Sequence, residues 1–148
     1  MVGRRSLAAV RAKYLPRISS GSVRPYIASS NGEPIGFVQS YRATECGGGW
    51  WPDEHDSGVM GIDQFLAEGN SLGRGLGSEM ARQFVAFLAR DPAVTRIQAD
   101  PSPRNGRAIR CYEKAGFRRV GLIETPDGPA LLMVIDTEGR DAAAAPGL

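Results

Sequence analysis

Apolar positions along the chain fall into blocks whose spacing alternates between helical and extended. Residues 6–15 (SLAAVRAKYL) place Leu7, Val10 and Tyr14 at i, i+3 and i+7, which predicts a helix, and Pro16 stops the run. Residues 23–29 read as a strand, Asn31-Gly32 as a hairpin turn, and residues 35–43 as the returning strand. Gly47-Gly48-Gly49 then opens a loop that carries Trp50, Trp51 and the stretch Asp53-Glu54-His55-Asp56, after which residues 59–66 form a third strand. The spacing of Leu76, Met80, Phe84, Phe87 and Leu88 predicts an amphipathic helix from a glycine-rich segment to about Ala89, closed by Asp91-Pro92. A short strand follows at 96–100. Beyond Pro101-Ser102-Pro103, a second helix at 104–115 puts Ala108, Ile109, Tyr112 and Ala115 on one face, with Gly116 as the residue that ends it. Two strands, 117–124 and 130–136, flank the turn 125–128. The order α-β-β-β-α-β-α-β-β, without repeat or linker, predicts one α/β (α+β) domain over residues 1–140, a mixed sheet with flanking helices. The Ala-rich segment 141–148 is expected to be a disordered tail.

Composition narrows the function classes. Of 148 residues, 42% are hydrophobic and 23% charged, which fits a folded domain that needs no staples to build a core. A formal net charge of +2 is too weak to imply a nucleic-acid partner. The longest apolar runs, residues 84–89 and 130–135, are far short of the ~18 residues of a spanning helix. Arg11 and Lys13 interrupt the apolar stretch that a secretion signal starting at Arg4-Arg5 would need. No membrane association is expected, and the location expected is cytoplasmic. Cys46 and Cys111 form no CxxC; a reduced pair is expected, a single bridge between them being the alternative. With His55 as the one histidine beside two cysteines, a four-ligand zinc site is disfavoured, and no metal is expected.

Two segments carry candidate chemistry. Gly73, Arg74, Gly75, Leu76 and Gly77 join a strand to a helix, where glycines let backbone N–H groups converge and the helix start adds partial positive charge, a setting for a pyrophosphate. Alone, the segment reads equally well as a tight turn. The second helix adds N-x-R-A-I-x-x-Y-E-K-A-G-F from Asn105 to Phe117. Together, in this order, the two blocks resemble those of the GNAT superfamily of acetyl-CoA-dependent N-acetyltransferases, with Leu72 in place of the usual polar residue. The segments NGEPIGFVQSY (31–41), GWWPDEHDSGVMGIDQFLA (49–67), IQADPSPRN (97–105) and TPDGPA (125–130) narrow the likeness to the aminoglycoside 6′-N-acetyltransferases near the Ib type.

The resemblance implies a GNAT-like sheet, acetyl-CoA as cosubstrate and a polycationic aminoglycoside as partner, in a monomer or homodimer. It assigns Asp63 as the base that removes a proton from the attacking amine, and Tyr112 as the donor to the departing thiolate. Gln64, Phe65 and Leu66 would hold the pantetheine arm. Gly73, Arg74, Gly75, Leu76, Gly77 and Ser78 would hold the pyrophosphate, and Asn105 and Ala108 would contact the same cosubstrate. Tyr14, Gln39, Trp51, Asp63, Asp100 and Asp127 would line the amine cleft. Each has a plainer reading beside it: Tyr112 as a core aromatic, and Asp63, Asp100 and Asp127 as solvated acids.

The chain departs from the family in two respects. Gly48 stands where family members carry an acid, so that one amine contact is missing or supplied by Glu45. The chain also begins inside the family's second helical segment, so the first strand of the family is expected to be missing. A misassigned start, a fragment and a protein that works without that wall all remain open. So do two other functions, a GNAT acting on another small cationic amine and a CoA-binding remnant without useful turnover. By the same resemblance, members that acetylate fluoroquinolones carry Arg for the first Trp of the pair and Tyr for the Asp of TPDG. With Trp50 and Asp127 here, ciprofloxacin is expected to remain unmodified in a turnover assay; N-acetylciprofloxacin formed as fast as acetylated kanamycin would refute this.

Overall fold

A computed structural model describes residues 23–30, 33–66 and 75–137. The helix expected at 6–15 with Tyr14, the turn at 31–32, Gly73, Arg74, the boundary at 140 and the tail 141–148 all lie outside the described residues. The described elements are β1 (Val23–Ser30), β2 (Glu33–Arg42), a 3-10 turn (Ala43–Glu45), β3 (Val59–Leu66), α1 (Leu76–Leu88), β4 (Arg96–Ala99), α2 (Gly106–Ala115), β5 (Arg118–Thr125) and β6 (Gly128–Asp136). The strands form one six-stranded sheet in the order β1-β2-β3-β4-β6-β5, antiparallel except between β3 and β4.

Element boundaries differ from the periodicity reading where local chemistry overrides it. β4 stops at Ala99 rather than at residue 100, because Pro101 and Pro103 cannot donate to a ladder. α2 starts at Gly106 rather than 104, because Asn105 serves as its N-cap, accepting the Ala108 N–H at 3.1 Å. Phe117 belongs to the helix stop and not to β5. Its N–H reaches the Tyr112 carbonyl while the Gly116 N–H reaches that of Glu113, a Schellman closure, with Gly116 at φ 109. β5 and β6 run on to pair Thr125 with Gly128, which leaves a two-residue hairpin turn, Pro126-Asp127.

Register assigns the faces of the sheet. Side chains alternate along a strand, and paired residues share a face. Gln39 pairs with Asp63, Tyr41 with Gly61, and Gly61 with Gln98, so these five lie on one face. Val38, Ile62, Ile97, Ala99 and Met133 lie on the other, where they pack with Met80, Ala81, Phe84, Val85 and Leu88 of α1 and Ile109, Tyr112 and Ala115 of α2. The largest apolar cluster is therefore on the helix side, while the opposite side carries the polar groups of Gln39, Tyr41, Asp63 and Gln98 beside Phe37, Phe65, Val59 and Val134. Among the described residues no helix is long and apolar enough to cross a membrane.

Ile97 is fully buried in this core and Leu122 on β5 is 71% exposed. Ile97→Ala is expected to lower unfolding stability by about 2–5 kcal/mol and Leu122→Ala by no more than about 0.5 kcal/mol. Urea denaturation of both variants checks the contrast; equal losses would contradict the placement of the core.

Candidate active site

The site begins where two strands part. β3 pairs with β2 along Met60–Leu66, but with β4 only from Val59 to Gly61. Beyond Gly61 the edge of β3 that faces β4 has no strand partner among the described residues. The short β4 turns away at its prolines, and α1 and α2 close over the gap on the helix side. The result is a cleft of about 590 Å³, within the usual range for a small-molecule site. Gln64, Phe65 and Leu66 line it from β3, Gly75 through Ser78 from the start of α1, and Asn105, Ala108, Cys111 and Tyr112 from α2.

The cleft favours anions. The first-turn N–H groups of α1 have no intrahelical partners, no side chain caps that end, and Gly75 sits at φ 74, a backbone conformation natural to glycine. Arg107, Arg110 and Lys114 join the wall from α2, and no carboxylate among the described residues lines it. Gln64 donates to the Gly77 carbonyl at 2.9 Å, while its own Oε1 is buried with no partner among the described residues, an acceptor site at the wall. Such a cleft suits a long polyanion with amide groups along its arm, which is the chemistry of acetyl-CoA. Tyr112 is 5% exposed and sets its ring edge-on to Phe117, with centroids 5.3 Å apart.

The opposite face has the opposite character. Gln39, completely buried, donates from Nε2 to Asp63 Oδ2 at 2.9 Å. Tyr41, also buried, stacks on Trp51, with centroids 6.4 Å apart and planes 15° from parallel. Burial raises the Tyr41 hydroxyl well above its ordinary pKa, and the charges of Asp100 and Asp63 push it the same way, against a smaller opposing effect of the Gln98 side chain. Trp51 is the one non-glycine residue with positive φ, 53°, among the described residues. A bulky residue held in that region carries roughly 1–3 kcal/mol of backbone strain, and such strain clusters at functional sites.

The Trp loop is anchored by its own acids. Asp56 accepts from the Thr95 hydroxyl at 2.7 Å and from the Gly58 N–H at 2.8 Å, and these bonds hold its carboxyl below the ordinary range. Glu54 accepts from the N–H groups of His55 and Asp56. The stretch 53–56 thus fastens the loop to the start of β4.

The structure brings Asp63, Gln39, Trp51 and Asp100 to one face, and Gln64, Phe65, Leu66, Gly75, Leu76, Gly77, Ser78, Asn105, Ala108 and Tyr112 to the cleft behind it. Asp127 is exposed at the β5–β6 turn, its N–H donating to Thr125 Oγ1 at 3.2 Å. Tyr14, Gly73 and Arg74 lie outside the described residues. Sequence reasoning missed Arg107, Arg110 and Lys114, whose i, i+3, i+7 spacing was the available signal, and Tyr41, which gave none.

Residues 3–125 match the acetyltransferase (GNAT) domain family. Over 132 residues the chain is 58% identical to aminoglycoside N(6′)-acetyltransferase type 1 of Klebsiella pneumoniae, covering 88% of this chain and 66% of that protein. The chain thus spans just under two thirds of the length of that relative. It is 61% identical over 87 residues to a kanamycin resistance protein of Rhizobium radiobacter, covering 59% of this chain and 81% of that one. The crystal structure of aminoglycoside acetyltransferase AAC(6′)-Ib with coenzyme A and kanamycin superposes with a TM-score of 0.84 at 55% identity, over 92% of this chain and 80% of that one.

Asn105 offers a local test of the cleft wall. Asn105→Ala is expected to lose about 0.5–2 kcal/mol of stability as the N-cap disappears, while Asn105→Asp, which keeps the acceptor, is expected to stay near wild type. Thermal unfolding of the two variants decides it; equal losses would show that the cap contributes nothing.

Proposed function

The chain belongs to the acetyltransferase (GNAT) domain family, and on that premise we propose that it transfers an acetyl group from acetyl-CoA to the 6′-amine of an aminoglycoside, by direct attack with both substrates bound. The observation that carries the reading is the contrast across the gap between β3 and β4. A wall of cations and backbone N–H groups lies on the helix side, and carboxylates with an aromatic platform lie on the other. An acyl donor with phosphates and an acceptor with ammonium groups would approach such a gap from opposite faces. The likeness to relatives named for aminoglycoside N(6′)-acetylation and kanamycin resistance supports the same reading.

In this proposal the free edge of Gln64–Leu66 holds the pantetheine arm, and the N–H groups at Gly75–Ser78 face the pyrophosphate, as do Gly73 and Arg74 by sequence. Asn105 and Ala108 border the arm, and Arg107, Arg110 and Lys114 add charge for the phosphates. When bound, the cosubstrate supplies the activated acyl carbon. An ammonium group has no lone pair, so attack at neutral pH needs a base, and Asp63 takes that proton. Gln39 donates to one oxygen of Asp63, which fixes the carboxylate at the edge of the amine cleft. Tyr112 donates a proton or a hydrogen bond to the departing sulfur. Asp100, Trp51, Asp127 and, by sequence, Tyr14 receive the rest of the polycation. No step requires a metal.

Asp63→Asn is expected to lower kcat with kanamycin by about 10²–10⁴-fold, while calorimetric titration finds acetyl-CoA affinity unchanged. A kcat near wild type in the variant would remove Asp63 from the base role, and the absence of turnover in the wild-type protein across a panel of amines would remove the function.

A further inference from the structure

Tyr41 is placed with more constraint than packing alone accounts for. Its ring fills the space above Gly61: a Cβ there would come within 1.9 Å of Tyr41 Cζ and 2.2 Å of its hydroxyl oxygen. The hydroxyl is therefore held over the last residue of β3 that still pairs with β4. Asp63 lies two residues beyond Gly61 on the same face, and Asp100 lies two residues beyond Gln98, the partner of Gly61 on β4. Because β3 and β4 run parallel, both carboxylates stand one step ahead of the hydroxyl, toward the gap. Trp51 covers the ring from the loop side. Among the described residues the remaining titratable neighbour is Cys46, whose thiol donates to the Arg42 carbonyl at 3.6 Å.

Resting on the acetyl-transfer reading above, we propose that Tyr41 is a positioning residue of the site: its neutral hydroxyl, set behind Asp63 and Asp100, keeps both carboxylates charged for the amine while its ring seats Trp51. Two neighbouring carboxylates raise each other's affinity for a proton, and an electropositive hydrogen directed at them opposes that rise. A hydroxyl hydrogen turns to suit the local field, set here by the charges of Asp100 and Asp63 and by the Gln98 side chain that hydrogen-bonds the same hydroxyl. The phenol is suited to this because burial and the same two charges keep it protonated, so it stays a donor wherever the carboxylates are ionised. Phenylalanine would fill the same volume, so the hydroxyl is the informative group.

The test compares the full chain with Tyr41→Phe, which leaves the ring and its stack in place. Carbon-13 carboxyl NMR of aspartate-labelled protein, assigned with Asp63→Asn and Asp100→Asn, should show Asp63, Asp100 or both titrating about half a unit or more higher in Tyr41→Phe. The acid limb of kcat/KM for kanamycin should move up with them, with about threefold lower activity on that limb and an unchanged KM for acetyl-CoA. Gly61→Ala, which pushes the ring aside, should move the titrations in the same direction and serves if Tyr41→Phe folds poorly. Unchanged titrations in both variants would overturn the proposal, as would a lowered melting temperature with the acid limb in place, the signature of a merely structural tyrosine. The titration needs no turnover, so it decides the role of Tyr41 even if wild-type protein acetylates no amine, a result that would count against the proposed function instead.

Discussion

The parting of β3 from β4 after Gly61 is the constraint on which the other features depend. A continuous ladder would use the backbone donors and acceptors of β3 on both edges and would seal one face of the sheet from the other. Because β4 is four residues long and runs into Pro101 and Pro103, the ladder cannot continue. The sheet keeps its integrity through β2 on one side and β6 on the other, and the gap remains local. A hydrophobic core on the helix side makes this tolerable, since α1 and α2 hold the separated strands in place without help from their missing hydrogen bonds.

Strand alternation then does the sorting. Asp63 and Gln64 are adjacent in sequence and point to opposite faces, one toward Gln39 and Tyr41, the other toward Gly77 and the start of α1. One short strand therefore serves both halves of the site, and the distance between them is fixed by the thickness of a single sheet. The helix face gathers cations from α2, and the other face gathers acids from β3 and from the end of β4. The thickness of the sheet keeps the two sets of charges apart, and their mutual attraction falls with that distance.

Much of this was legible in the sequence, for identifiable reasons. The 3.6-residue period exposed α1 and α2, and Gly116 marked the end of α2 because a left-handed residue was needed there. The linear motif around Asp63 and the Gly75–Ser78 turn were readable because each lies within one stretch of chain. Tyr41 was not readable: it lies two residues from Gln39 and reads as an ordinary aromatic strand position. Its meaning comes from register with Gly61 and from Asp100, about sixty residues away. The role of Asp56 was hidden likewise, because its partner Thr95 belongs to another element. The strain at Trp51 is a property of φ, which no composition reveals.

The interlock of Tyr41 and Gly61 also limits how this site can change over generations. Any side chain at 61 forces the ring aside while Tyr41 is present, so a single substitution there also disturbs the seat of Trp51 and is costly as a first step. The reverse order is open: a smaller residue at 41 leaves a void, and a later, larger residue at 61 can fill it. The first step removes the platform under Trp51, so the lineage must cross a weakened intermediate before the second restores packing. The pair is thus epistatic in a fixed order, and drift at either position is expected to be rare without simultaneous change at the other.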